Sequence, residues 1–136
     1  MIDLTKVQQA IWNGLKAINK YTVVEYIEYD SINPPFIHLG NMYINDDSVK
    51  NNEGIKVQQY INIYSTYSGK KEIMEMANAV NEAMSSLNIE EHTVYVKQGK
   101  ITIMLDKDKF SSIFQRTDRN NNKFYHAVLV FDLYIN

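Results

Sequence analysis

Three histidines, His38, His92 and His126, and sixteen carboxylates are the side chains from which a metal site or an acid–base pair would be built. The histidines lie far apart, and none sits in a His-x-x-x-His or Glu-x-x-His pair that would aim two ligands from one helix face. Isolated histidines on strands read as hydrogen-bonded sheet residues. Glu90-Glu91-His92 is the one tight acidic–His cluster. On a strand, Glu90 and His92 would share a face and Glu91 would not, which leaves two ligands and no metal site. Calcium loops place oxygens at alternate positions with glycine at the sixth. Asp106-x-Asp108 fails because Phe110 holds the next ligand position. Asp118-x-Asn120-x-Asn122 fails because Lys123 replaces the glycine and Leu129 the bidentate glutamate.

No glycine-rich phosphate cradle and no Gly-x-Ser-x-Gly elbow occurs, so neither a phosphate-binding turn nor an exposed serine nucleophile can be assigned. The chain has no cysteine, which removes disulfides, thiolate chemistry and Cys-based zinc sites. Its formal charge of −2 lacks the basic excess that phosphate neutralisation favours. Arg116, Arg119 and Lys123, beside Phe124 and Tyr125, form a small local basic patch. This sequence therefore predicts no enzyme, no metal and no cofactor.

Its 136 residues, 45% hydrophobic and 22% charged, suit one globular domain spanning residues 1–136. No basic-then-apolar leader opens it, and no apolar run approaches the roughly 18 residues of a membrane span. The expectation is a soluble, non-membrane product.

The elements that would position any surface follow from periodicity. Leu4, Val7, Ile11, Leu15 and Ile18 recur at helical spacing, with Asp3 or Thr5 as the cap and Gly14 where another element comes close. Trp12 points about 100° from that stripe, as a flank packed on the sheet or as a contact for another subunit. Residues 22–29 and 36–44 read as strands around Pro34-Pro35, and residues 45–54 as a polar loop carrying Asp46, Asp47, Lys50 and Glu53. Ile55, Val57, Ile61 and Ile63 alternate with Lys56, Gln58, Asn62 and Thr66, the clearest strand in the chain. A long hairpin with a projecting tip results.

A second helix carries Ile73, Ala77, Val80, Met84 and Leu87, with Met76 at its margin. Residues 93–97 and 100–105 read as a hairpin across Gln98-Gly99, residues 110–116 as a further strand, and residues 118–123 as a turn. In the final strand Tyr125, Ala127, Leu129, Phe131, Leu133 and Ile135 share one face. His126, Val128, Val130, Asp132 and Tyr134 share the other, which is unusually apolar for a solvent face. The predicted fold is α+β: a mostly antiparallel sheet of five to seven strands, with two helices packed on one face. Ten tyrosines, among them Tyr60 and Tyr64 on the polar side of the third strand, add half-wet contact area.

The order of elements carries a resemblance. It runs through Val7-Gln-Gln-Ala-Ile-Trp-Asn-Gly-Leu15, Pro34-Pro35-Phe-Ile-His-Leu39, the polar tip, Val57-Gln-Gln-Tyr-Ile-Asn-Ile-Tyr-Ser-Thr66 and Glu72-Ile-Met-Glu-Met-Ala-Asn-Ala-Val80. Over residues 4–87 this resembles the tail-completion, or tail-terminator, proteins of tailed bacteriophages and prophages. The resemblance implies a structural subunit of a homo-oligomeric ring, often a hexamer, that caps the tail tube and joins it to the head connector. Its implied partners are itself, the tail tube and connector proteins, with DNA only passing through the bore. Its implied location is the host cytoplasm during assembly and then the virion. Trp12, Asp46, Asp47, Lys50, Glu53, Tyr60, Tyr64, Val128, Val130 and Tyr134 are the candidate subunit or partner contacts. The alternative is a small nucleic-acid- or ligand-binding module built on the 116–125 turn. A hydrolase centred on Glu90 and His92 is the weakest reading.

Overall fold

The computed structural model describes residues 2–27, 32–106 and 124–136. Asp3 starts the first helix, α1 (Leu4–Lys16), its carboxylate accepting hydrogen bonds from the Thr5 N–H at 3.0 Å and hydroxyl at 2.7 Å. These satisfy an end that would otherwise hold orphan donors. Asn19, with φ 54°, turns the chain out of the helix through the left-handed region that asparagine tolerates. Val7, Ile11 and Leu15 are buried. The second helix, α2 (Lys71–Ser85), buries Ile73, Met76, Ala77, Val80 and Met84, so Met76 belongs to the core rather than to its margin. A Cβ at Gly14 would lie 3.0 Å from Leu87 Cδ2, which shows how closely α1 approaches the end of α2.

Among the described residues, five strands form one sheet: β1 (Thr22–Val24), β2 (Phe36–Asp46), β3 (Ile55–Ser65), β4 (Val94–Asp106) and β5 (Phe124–Ile135), in the order β1-β2-β3-β5-β4. Only β1–β2 is parallel, and the other three pairs are antiparallel. The chain is therefore α+β with a mostly antiparallel sheet, as its pattern predicts. Ile37, Leu39, Ile61, Ile63, Leu129, Phe131 and Leu133 meet the apolar stripes of both helices in one continuous core. Both helices thus cover one face, here called the helix face. The other is the open face.

Two expectations need correction. Of the expected strand 22–29, Thr22–Val24 forms a strand, residues 25–27 do not, and residues 28–29 lie outside the described residues. The hairpin predicted across Gln98-Gly99 does not form, because residues 94–106 are one strand along β5. Gly99 and Lys100 instead make a bulge, two residues opposite the single Val130. Glycine marks both turns and bulges, and only the long partner strand separates the two readings. A second bulge sits at Gly40-Asn41 in β2, opposite Tyr60. Tyr60 pairs directly with Val130, so both bulges fall on one row across the sheet.

Candidate assembly surfaces

The predicted strand 110–116, the turn 118–123, both calcium-like segments (in part or whole) and the basic patch at 116–123 lie outside the described residues. Among the described residues, no three His, Asp or Glu side chains come together to hold a metal.

Each histidine is tied into the sheet or its margin. Asn62 Nδ2 donates to His38 Nδ1 at 3.3 Å, and His38 Nε2 donates to the Glu25 carbonyl at 3.1 Å. His126 Nε2 donates to Asn62 Oδ1 at 3.1 Å. One asparagine thus links two imidazoles across β2, β3 and β5. A carbonyl only accepts, so His38 carries its proton on Nε2 and is neutral in this arrangement. Burial pushes its pKa below the ordinary histidine value, against the Glu25 hydrogen bond, which raises it. His92 Nδ1 donates to the Asn136 carbonyl at 3.1 Å. Glu90 to His92 form a turn before β4, with Glu91 at φ 70°, so the alternation expected of a strand does not apply there.

The hairpin joining β2 to β3 is ordered to its tip. Val49 and Asn52 exchange two backbone hydrogen bonds of 2.9 Å around Lys50 and Asn51, and Asn51 takes φ 66°. At the base, the Ser48 hydroxyl and Gly54 N–H meet at 3.1 Å. A Cβ on Gly54 would come 2.6 Å from Asn136 Oδ1 and 3.1 Å from the Asp47 carbonyl, so only glycine fits without displacement. Asp46, Asp47, Lys50 and Glu53 are all exposed. Asp46 accepts the Ser48 N–H at 3.0 Å, and hydrogen bonding by Ser48 holds its carboxyl below the usual carboxylate range. Three carboxylates against one lysine make the projection acidic, and exposed Val49 gives it an apolar tip.

The open face divides into three zones. At one end Tyr64 is buried, stacked on Phe36 at 4.7 Å and on His126 at 4.4 Å, with Ile32 and Phe124 completing a small second core. Tyr64 therefore does not present the outward ring expected of a partner contact. Val24, Ile27 and Ile32 pack over that end, and nothing in strand alternation announces such a cover. In the middle, Tyr60, Val128 and Val130 line a shallow groove with Lys100, Thr102 and Met104. Tyr43 meets Tyr60 edge-on at 5.7 Å. Towards the hairpin, Tyr134 lies under the Lys56 ammonium at 5.6 Å and beside Tyr95 at 6.0 Å. Trp12 is half-buried on the core's flank, with Lys16 Nζ 5.7 Å from its ring, and it lines a groove with Leu4, Gln8 and Glu25.

Gln59 is a residue the sequence reading passes over. It sits on the helix face of β3, fully buried, and its Nε2 donates to the carbonyls of Gly40, Asn41 and Tyr60 at 3.1, 3.3 and 2.8 Å. It fastens the β2 bulge from inside. Its signal in the sequence is a lone amide at an apolar beat of the alternation, Ile55-x-Val57-x-Gln59-x-Ile61.

A search of curated proteins returns no match. Among solved structures, a chain described as "Virion of native gene transfer agent (GTA) particle" shares the fold, with a TM-score of 0.66 and 15% identity. The match covers 94% of this chain and 92% of that one. The family model for Tail completion protein gp17 matches residues 22–136, from β1 through β5. By that match the chain belongs to the Tail completion protein gp17 family.

Proposed function

We propose that this chain, acting as one domain, is a tail-completion subunit that assembles into a ring, caps the tail tube and joins it to the head connector. The observation that carries this reading is the family match over residues 22–136. The shared fold of a chain from a gene transfer agent virion supports it. The surfaces agree with such work. An ordered acidic hairpin projects from the sheet, where it can reach a neighbour or line a bore. Acidic walls repel DNA and let it pass rather than hold it. The half-buried Tyr60, Val128, Val130 and Tyr134 give the open face amphipathic contact area. On this reading the subunit is made in the host cytoplasm and ends in the virion. No helix among the described residues is long and apolar enough to cross a membrane.

Native mass spectrometry at high protein concentration, with co-purification on tail tube protein, tests the proposal. A closed oligomer of fixed subunit number that retains tube protein is the expected result. A chain that stays monomeric and also passes over tube protein unbound would exclude it.

A further inference from the structure

The sheet leaves two edges without a described partner strand. One is β4 along its whole length, Val94–Asp106. The other is the distal part of β2, because β1 pairs only with Phe36, Ile37 and His38 and leaves residues 39–46 unpaired on that side. An open edge presents a row of N–H and C=O groups, and proteins that remain monomeric blunt such rows with short strands, lysines or bulges. Lys97, Lys100 and the Gly99 bulge on β4 fit that protective role taken alone. The β2 edge does not: it carries no lysine and runs into Asp46 and Asp47.

The two edges are complementary in charge, β4 basic through Lys97 and Lys100, β2 acidic at its end. They are also alike in exposed apolar surface. Ile101 and Leu105 on β4 and Ile44 on β2 lie on the helix-face side of their strands but are 37%, 42% and 38% exposed, beyond the cover the helices provide. Tyr95 and Tyr43, 64% and 51% exposed, stand on the open-face side of the same edges. Strand direction fits too. β2 and β5 run one way and β3 and β4 the other, so β4 beside a neighbour's β2 is antiparallel, like most of this sheet.

We infer that β4 of one copy pairs antiparallel with residues 39–46 of β2 in the next copy, continuing the sheet from subunit to subunit. Backbone ladder bonds join the copies; with no shear, Val96 falls beside Ile44, Ile101 beside Leu39, and Lys97 beside Tyr43 on the approach to the acidic end of β2. Different surfaces meet in this contact, so it is heterologous and closes a ring when its rotation closes. The inference rests on the ring reading above and adds to it the surface that makes the joint.

The absence of native cysteine makes the test direct. Tyr43, Gln58, Asp132 and Lys97 form one row across the sheet, so a joint without shear sets Lys97 of one copy beside Tyr43 of the next. Tyr43→Cys and Lys97→Cys are made singly and together, with Asn41→Cys and Asn45→Cys covering a shift of register or a poorly folding Tyr43 variant. Each is treated with a short bismaleimide and run on a denaturing gel. Mixed single variants are expected to give a covalent dimer and the double variant a ladder, while each single variant alone stays monomeric on the gel. An oligomer in native mass spectrometry with no bridge from 97 to 41, 43 or 45 overturns the edge joint but leaves the ring reading standing. Self-bridging by Lys97→Cys alone points to a two-fold β4–β4 contact and also overturns it. A monomer at every concentration overturns both.

Discussion

Gln59 shows how one buried amide sets local geometry. Its Nε2 serves three carbonyls at the β2 bulge, while its Oε1 has no hydrogen-bond partner. Gln59→Met keeps the volume and removes the donor, and is expected to cost about 1–2 kcal/mol in urea unfolding, since buried carbonyls lose a partner. Gln59→Glu places a carboxylate against those carbonyls and should cost at least about 3 kcal/mol. If the two variants unfold at the same midpoint, the assigned role of Nε2 is wrong. Tyr64 teaches the converse point. Its place on the alternation reads as outward, yet Phe36, His126 and Phe124 enclose it. Strand periodicity assigns a face and does not say what lies upon it.

At the level of elements, the paired bulges decide the course of both flanking strands. A Cβ on Gly99 would stand 3.1 Å from the Val130 carbonyl, and one on Gly40 the same distance from the Tyr60 carbonyl. Backbone oxygens cannot swing aside as a flexible side chain can. Gly99→Ala and Gly40→Ala are each expected to lower stability by about 1–3 kcal/mol. Gly69, where a Cβ would meet only Tyr67 Cε2 at 3.7 Å, provides the control: Gly69→Ala should be neutral or stabilising by up to about 1 kcal/mol. Equal losses at all three positions would mean that crowding at the bulges is not what matters. At the other end of β3, the Ser65 hydroxyl donates to Glu72 Oε1 at 2.6 Å and accepts the Tyr67 N–H at 3.1 Å. That bond docks the first turn of α2 on the sheet, with Glu72 at the helix's positive end.

For the whole molecule, pH reports on the open face. His38 has its pKa lowered by burial, so the unfolded chain takes up that proton first as pH falls. Stability is therefore full above the unfolded histidine value, near 6.5, and declines as pH falls from there towards the lowered folded value. Asp46 and Asp3 are lowered by hydrogen bonds from Ser48 and Thr5, and their contributions persist until pH falls below the ordinary carboxylate range. Thermal melts between pH 7.5 and 5 should thus show a decline that His38→Gln flattens, with the fall below about pH 4 unchanged. A variant with the wild-type slope between pH 7.5 and 5 would acquit His38.

The sequence by itself determined both helices, the long β2–β3 hairpin with its acidic tip, the two faces of β5 and the α+β class. Each is written in local periodicity, because burial repeats every 3.6 residues in a helix and every two in a strand. The resemblance to tail-completion proteins was likewise legible in the order of elements, and the family match bears it out. Only the tertiary structure decided that Gly99 bends a strand instead of ending it, since a bulge is defined by the partner it opposes. Only it placed Gln59 beneath the bulge and Tyr64 beneath Val24, Ile27 and Ile32, contacts between segments far apart in the chain. Strand order was settled there as well, for pairing depends on which edges meet in space. That order left the edges of β2 and β4 without a partner strand among the described residues, one edge acidic at its end and one basic.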